Sequence, residues 1–145
     1  MYHRIIVAVD FSDTAQLVVD RAAELAGQNR DILELVHIVE PIPKVWGMES
    51  YALDPDELQE KIEARGQEEL DKIGTANNIS RRHLITGDPA SSIRSLQEKL
   101  QADAIVIGSH GHSGWKIMLG STAVSLLHGA TCDVLTVYVG KDSNH

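Results

Sequence analysis

Short apolar runs rich in β-branched residues alternate along this chain with segments of helical spacing, and that alternation restricts the fold more than any other feature. The first run, residues 5–9 (Ile-Ile-Val-Ala-Val), stops at Asp10, as strands buried on both faces do. Ser12 or Asp13 can cap a helix in which Val18, Ala22 and Leu25 share a face and Gly27 offers a stop. Residues 32–39 read as a second strand, ended by Pro41 and Pro43, which lack backbone donors. Asp54-Pro55-Asp56-Glu57 combines a cap, a proline in the first turn and an acid three beyond the cap, so a second helix starts there. Its expected inner face is Leu58, Ile62, Leu70 and Ile73.

A third strand covers residues 83–85, and Asp88-Pro89 repeats the cap-then-proline signal before a helix carrying Ile93, Leu96 and Leu100. Residues 104–107 form a fourth strand, residues 121–127 a helix closed by Gly129, and residues 134–139 a fifth strand. Right-handed crossovers then give an α/β fold: a doubly wound, five-stranded, mostly parallel, Rossmann-like sheet with helices on both faces. Residues 1–145 suit a single domain, since 43% hydrophobic and 23% charged residues are ordinary for a globular chain of that length. In such folds ligands lie outside the carboxyl ends of the strands, where the winding reverses. Those ends carry Asp10, residues 37–40, Gly87 and Gly108.

The formal net charge of −8 disfavours nucleic acid, whose binding needs clustered Lys and Arg. A small anion is still admissible, because backbone amides at a helix start bind phosphate without net positive charge. After Met1 to Arg4 only five apolar residues run up to Asp10, too few for a signal-peptide core or a membrane span. Cys132 has no partner for an intramolecular disulfide and is expected to be a buried, inert thiol, which fits a cytoplasmic location.

The most informative stretch leaves strand four as Gly108-Ser109-His110-Gly111 and reaches Gly120-Ser121-Thr122 at a helix start. Glycines permit close backbone approach, and the helix start offers unpaired amides and hydroxyl donors to phosphate oxygens. The same residues also suit a surface turn whose Ser121 merely caps the helix. Neither Gly-x-Gly-x-x-Gly after strand one nor Gly-x-x-x-x-Gly-Lys-Ser/Thr is present, which excludes ordinary Rossmann and P-loop sites.

Taken with residues 5–12, 35–39, 87–89 and 132–137, this stretch resembles the universal stress protein family over nearly the whole chain. The nucleotide-binding members carry Gly-x2-Gly-x9-Gly-Ser/Thr after strand four; here eight residues separate Gly111 from Gly120. The resemblance implies an adenine-nucleotide-binding stress-response or regulatory protein, with ATP, ADP and AMP all open as the ligand. It places Ala8 and Val9 near the base, the Ile38 backbone on adenine and Asp10 on the ribose hydroxyls. Gly108 and Gly111 line the sugar and phosphate path, and Gly120, Ser121 and Thr122 hold the distal phosphates. Any magnesium would arrive bound through the nucleotide phosphates.

No catalytic residue and no metal site is assigned. His110 and His112 lack a nearby acidic cluster, Ser113 lacks the Gly-x-Ser-x-Gly spacing, and Lys116 reads as a solvated charge. Trp46, Met48 and Tyr51 read as local packing first, then as a lid or a partner patch. A binding or regulatory module, acting on an unknown protein partner, stands against two alternatives. One is a weak magnesium-dependent nucleotide hydrolase or phosphotransferase; the other is a nucleotide-free dimerising partner protein. The β-rich final strand at a sheet edge implies a homodimer.

Overall fold

A computed structural model of the chain describes residues 1–42, 54–109 and 120–140. The apolar runs are the strands β1 (Ile5–Ala8), β2 (Leu33–Val39), β3 (Arg82–Thr86), β4 (Ala104–Gly108) and β5 (Asp133–Val137). Between them lie α1 (Ala15–Leu25), α2 (Pro55–Ala76), α3 (Pro89–Leu100) and α4 (Ser121–Gly129). The strand order is β3-β2-β1-β4-β5, and every pairing is parallel. The expected doubly wound sheet is therefore present, and its described strands are parallel throughout.

Alternation along each strand divides the core in two. Ile5, Val7, Leu33, Leu35, Ala104 and Val106 face α1 and α2 with Val19, Ala22 and Leu70. Ile6, Val36, Ile105 and Ile107 face α3 and α4 with Ile93, Leu96 and Leu126. Each fully buried aliphatic side chain of this kind contributes about 1.5–3 kcal/mol relative to its exposed state.

Several local expectations are corrected. Thr14, not Ser12 or Asp13, is the residue before α1, and its side chain makes no capping bond. Ser12 and Asp13 lie in the turn leaving β1, where Ser12 is bonded to Asp10 instead. Ile62 is 38% exposed, and the inner face of α2 is Gly66, Leu70 and Gly74. At 22 residues α2 is about 33 Å long, longer than the strands beneath it, and Thr86 at the end of β3 meets Glu63, so the earlier turns overhang the sheet. β5 ends at Val137 because the next ladder position is taken by a side chain, Ser109 Oγ accepting from Val139 N–H. Cys132 is half-buried, and desolvation together with Asp133 and Asp103 pushes its thiol pKa up, which keeps it protonated.

The amino ends of the strands are tied by charge. Asp103 accepts from the amides of His3 and Arg4, and the Tyr2 hydroxyl donates to Asp133. Glu34, only 2% exposed near the start of β2, accepts from Arg4 and from His83 Nε2 at 2.7 Å, with Arg81 Nη1 at 3.5 Å. A carboxylate this buried is tolerated because each oxygen has a cationic or N–H partner. Glu34→Gln keeps the shape but removes the charge that three basic groups share. It should lower unfolding free energy by about 1.5–3 kcal/mol, read as a reduced urea midpoint at an unchanged slope.

Candidate functional site

Going out from β1, the chain winds to β2 and β3 on one side, then returns to β4 and β5 on the other. The reversal falls between β1 and β4, so the crevice opens where Ala8 and Gly108 end their strands.

On the β1 side, Val9 N–H still donates to Val36 C=O at 2.9 Å, but the Val9 carbonyl accepts from the His37 side chain, Nδ1 lying 2.7 Å away. A carbonyl only accepts, so Nδ1 carries the proton. The His37 ring lies against Phe11 with centroids 3.9 Å apart. Between Val9 and Phe11 in sequence, Asp10 is held by a two-residue turn: its Oδ1 accepts from Ser12 N–H at 3.1 Å and Ser12 Oγ at 2.6 Å. Both bonds fall on one oxygen. Ile38 sits on the neighbouring strand, half-buried on the α3–α4 side.

On the β4 side, a Cβ at Gly108 would already touch Val18 of α1 at 3.4 Å, so a branched side chain would be driven into that helix. Ser109, buried, ties three segments: its amide donates to Val137 C=O, its hydroxyl accepts from Val139, and its carbonyl accepts from Gly120 at 2.6 Å. The chain that leaves after Ser109 is thus pinned to Ser109 where it returns. Gly120 precedes α4 with no side-chain capping bond, which corrects the reading of Ser121 as a cap. The first helical bond is Val124 N–H to Gly120 C=O. The amides of Ser121, Thr122 and Ala123 therefore have no partner within the helix, and no acidic residue lies in that turn.

Ala8, Val9, Asp10 and Gly108 meet at the reversal, Ile38 flanks it, and Gly120, Ser121 and Thr122 open the helix tied to Ser109. Gly111 lies outside the described residues, as do Trp46, Met48, Tyr51, His110, His112, Ser113 and Lys116. Sequence reasoning put residues 37–40 and Ser109 near the crevice but gave no role to His37, Phe11 or Ser109. Its one available signal was a lone imidazole inside the apolar run Leu35-Val36-His37-Ile38-Val39. Among the described residues no cluster of three metal-ligating side chains occurs, and no helix is long and apolar enough to cross a membrane.

Burial holds the His37 pKa below its ordinary value near 6.5, outweighing the bond to Val9 and the charge of Asp10. The unfolded chain therefore takes up a proton here before the folded one does. The stability this neutral ring supplies is complete above about pH 6.5 and is lost as pH falls below it. Chemical denaturation at pH 7.5 and pH 5.5 should show a loss on acidification that is smaller in His37→Asn, whose side chain does not titrate.

A model of the universal stress protein family matches residues 1–138. Universal stress protein A homolog 1 of Coxiella burnetii is 38% identical over 140 residues, spanning 95% of this chain and 97% of that protein. Universal stress protein UspA from Lactobacillus plantarum superposes with a TM-score of 0.78 at 22% identity, over 94% of this chain and 97% of that one. A universal stress protein solved in complex with cAMP has a TM-score of 0.58 at 22% identity, over 94% and 96% of the two chains. A match that runs from the first residue through β5, on a fold shared with those structures, makes this chain a member of the universal stress protein family.

Proposed function

We propose that the chain, as one domain, binds an adenine nucleotide across the β1–β4 reversal and works as a nucleotide-dependent regulatory module of the cytoplasm. The observation that carries this reading is the chemical asymmetry of the crevice. A carboxylate stands on the β1 side, and an uncapped, acid-free helix start is pinned on the β4 side through Ser109 and Gly120. Carboxylates accept from ribose hydroxyls, whereas amides at a helix start donate to phosphates. Asp10 takes the sugar and Gly120, Ser121 and Thr122 the phosphates of ATP, ADP or AMP. Gly108 and Gly111 line the path between them, and Ala8, Val9 and Ile38 meet the base. The cAMP of the solved relative is itself an adenine nucleotide. Magnesium enters only on the phosphates, and hydrolysis, lacking a clamp and a nucleophile-orienting group in this reading, is slow and incidental.

The module is a homodimer paired through β5. The two sheet edges differ: β3 carries Arg82, a charge that discourages pairing, whereas β5 has Leu135 at 37% and Tyr138 just beyond it at 74% exposure.

Titration calorimetry with AMP and with ATP plus magnesium tests the ligand. Asp10→Asn, which swaps a charged acceptor for a neutral one, should weaken binding about ten- to a hundredfold, the equivalent of about 1.5–3 kcal/mol. Wild-type protein that binds no adenine nucleotide at millimolar concentration would sink the reading. Light scattering at high micromolar concentration should give twice the chain mass; a strict monomer would refute the dimer.

A further inference from the structure

A parallel ladder repeats every two residues, each bonded residue donating to one partner and accepting from another two positions on. In β2 the odd residues face β3: Leu35 N–H donates to Arg81 C=O, and Val39 C=O accepts from Gly87. The even residues face β1, as the bond from Val9 N–H to Val36 C=O requires. The next bond in that series would run from Ile38 N–H to Val9 C=O and extend the register to Val9 opposite His37. The register stops instead at Ala8 opposite Val36. Among the described residues, no main-chain partner for the Ile38 amide or carbonyl is found. The Val9 carbonyl has accepted from His37 Nδ1, on a ring laid against Phe11.

We infer that His37 is the positioning residue of the base site: its side chain caps the Val9 carbonyl, ends the β1–β2 ladder one bond early, and leaves the Ile38 N–H and C=O as a donor–acceptor pair for adenine. This rests on the nucleotide reading above, which already sets the Ile38 backbone on adenine, and adds the side chain that keeps that backbone out of the ladder. Adenine offers a ring-nitrogen acceptor beside an amino donor, the complement of a strand edge presenting N–H beside C=O. Guanine offers a donor beside a carbonyl at those positions, which sets donor against donor and acceptor against acceptor. Backbone groups that the ladder leaves out are open to pairing with a base. The neighbouring residues fit the same task. Val9 is fixed by His37, Asp10 next to it is oriented by Ser12, and Phe11 buttresses the ring, so base and ribose contacts are set by three consecutive residues.

Amide hydrogen exchange on the ligand-free wild-type protein is the direct test. Val36, inside the ladder, should be protected while Ile38 exchanges fast, and AMP but not GMP should slow Ile38. An Ile38 amide as protected as Val36 without ligand would overturn the proposal. His37→Leu removes the donor, whereas His37→Asn puts an amide nitrogen where Nδ1 stands. The leucine variant should lose tenfold or more in AMP affinity along with its preference over GMP, and the asparagine variant should stay within about threefold of wild type. A folded leucine variant with wild-type affinity and selectivity would remove His37 from the site while leaving nucleotide binding standing. Wild-type protein that binds no AMP at all would bring down the nucleotide reading itself. Should the leucine variant not fold, the asparagine variant and the wild-type exchange pattern decide.

Discussion

The burial of β1 between β2 and β4 is the constraint on which the rest of this structure depends. Ile5, Ile6 and Val7 are fully covered, with strands on both edges and helices over both faces. A parallel neighbour can be reached only by a crossover, and crossovers of this kind are right-handed. Winding outward from β1 in one direction therefore lays α1 and α2 on one face; crossing back to β4 and winding on lays α3 and α4 on the other. The crevice at the reversal is a geometrical consequence of that path, since no helix follows directly over the gap where the two directions part.

The two ends of the sheet are chemically different for a related reason. At the amino ends, Glu34, Asp103 and Asp133 gather guanidinium, imidazole, amide and phenol donors, so these three carboxylates are satisfied. At the carboxyl ends, satisfaction is partial. Ser109 replaces ladder partners for Val139, His37 does so for Val9, and α4 begins with bare amides behind a glycine. Side chains that interrupt a ladder hold the backbone in place and still leave neighbouring groups without partners. A surface built this way is rigid and unsaturated at once, which is what a polar ligand requires of a preformed site.

Among the described residues, the alternating pattern placed the five strands and four helices, and the cap-then-proline pairs at Asp54 and Asp88 located two helix starts to the residue. Such signals are local: they follow from backbone propensity and from side-chain spacing within one element. The errors arose where a neighbour decided. Ile62 has helical spacing with Leu70, yet the sheet ends before reaching it, and only the relative lengths of α2 and β3 reveal that. Ser121 also suits a cap, but it is the first residue of α4, and the residue before the helix is Gly120, held by the carbonyl of Ser109.

By itself, the sequence determined the fold class, the doubly wound order of its elements and the family, because hydrophobic periodicity and the glycine spacing are properties of consecutive residues. It also marked Asp10, Gly108 and Gly120 as points where strands end or helices begin. Only the tertiary structure decided that Ser109 joins three segments, that Glu34 is buried among basic groups, and that an imidazole on β2 closes the carbonyl of a residue 28 positions away. Those are relations across strands. They depend on register, which a chain acquires only when its sheet is assembled, since a shift of one residue would turn His37 to the opposite face and away from the Val9 carbonyl.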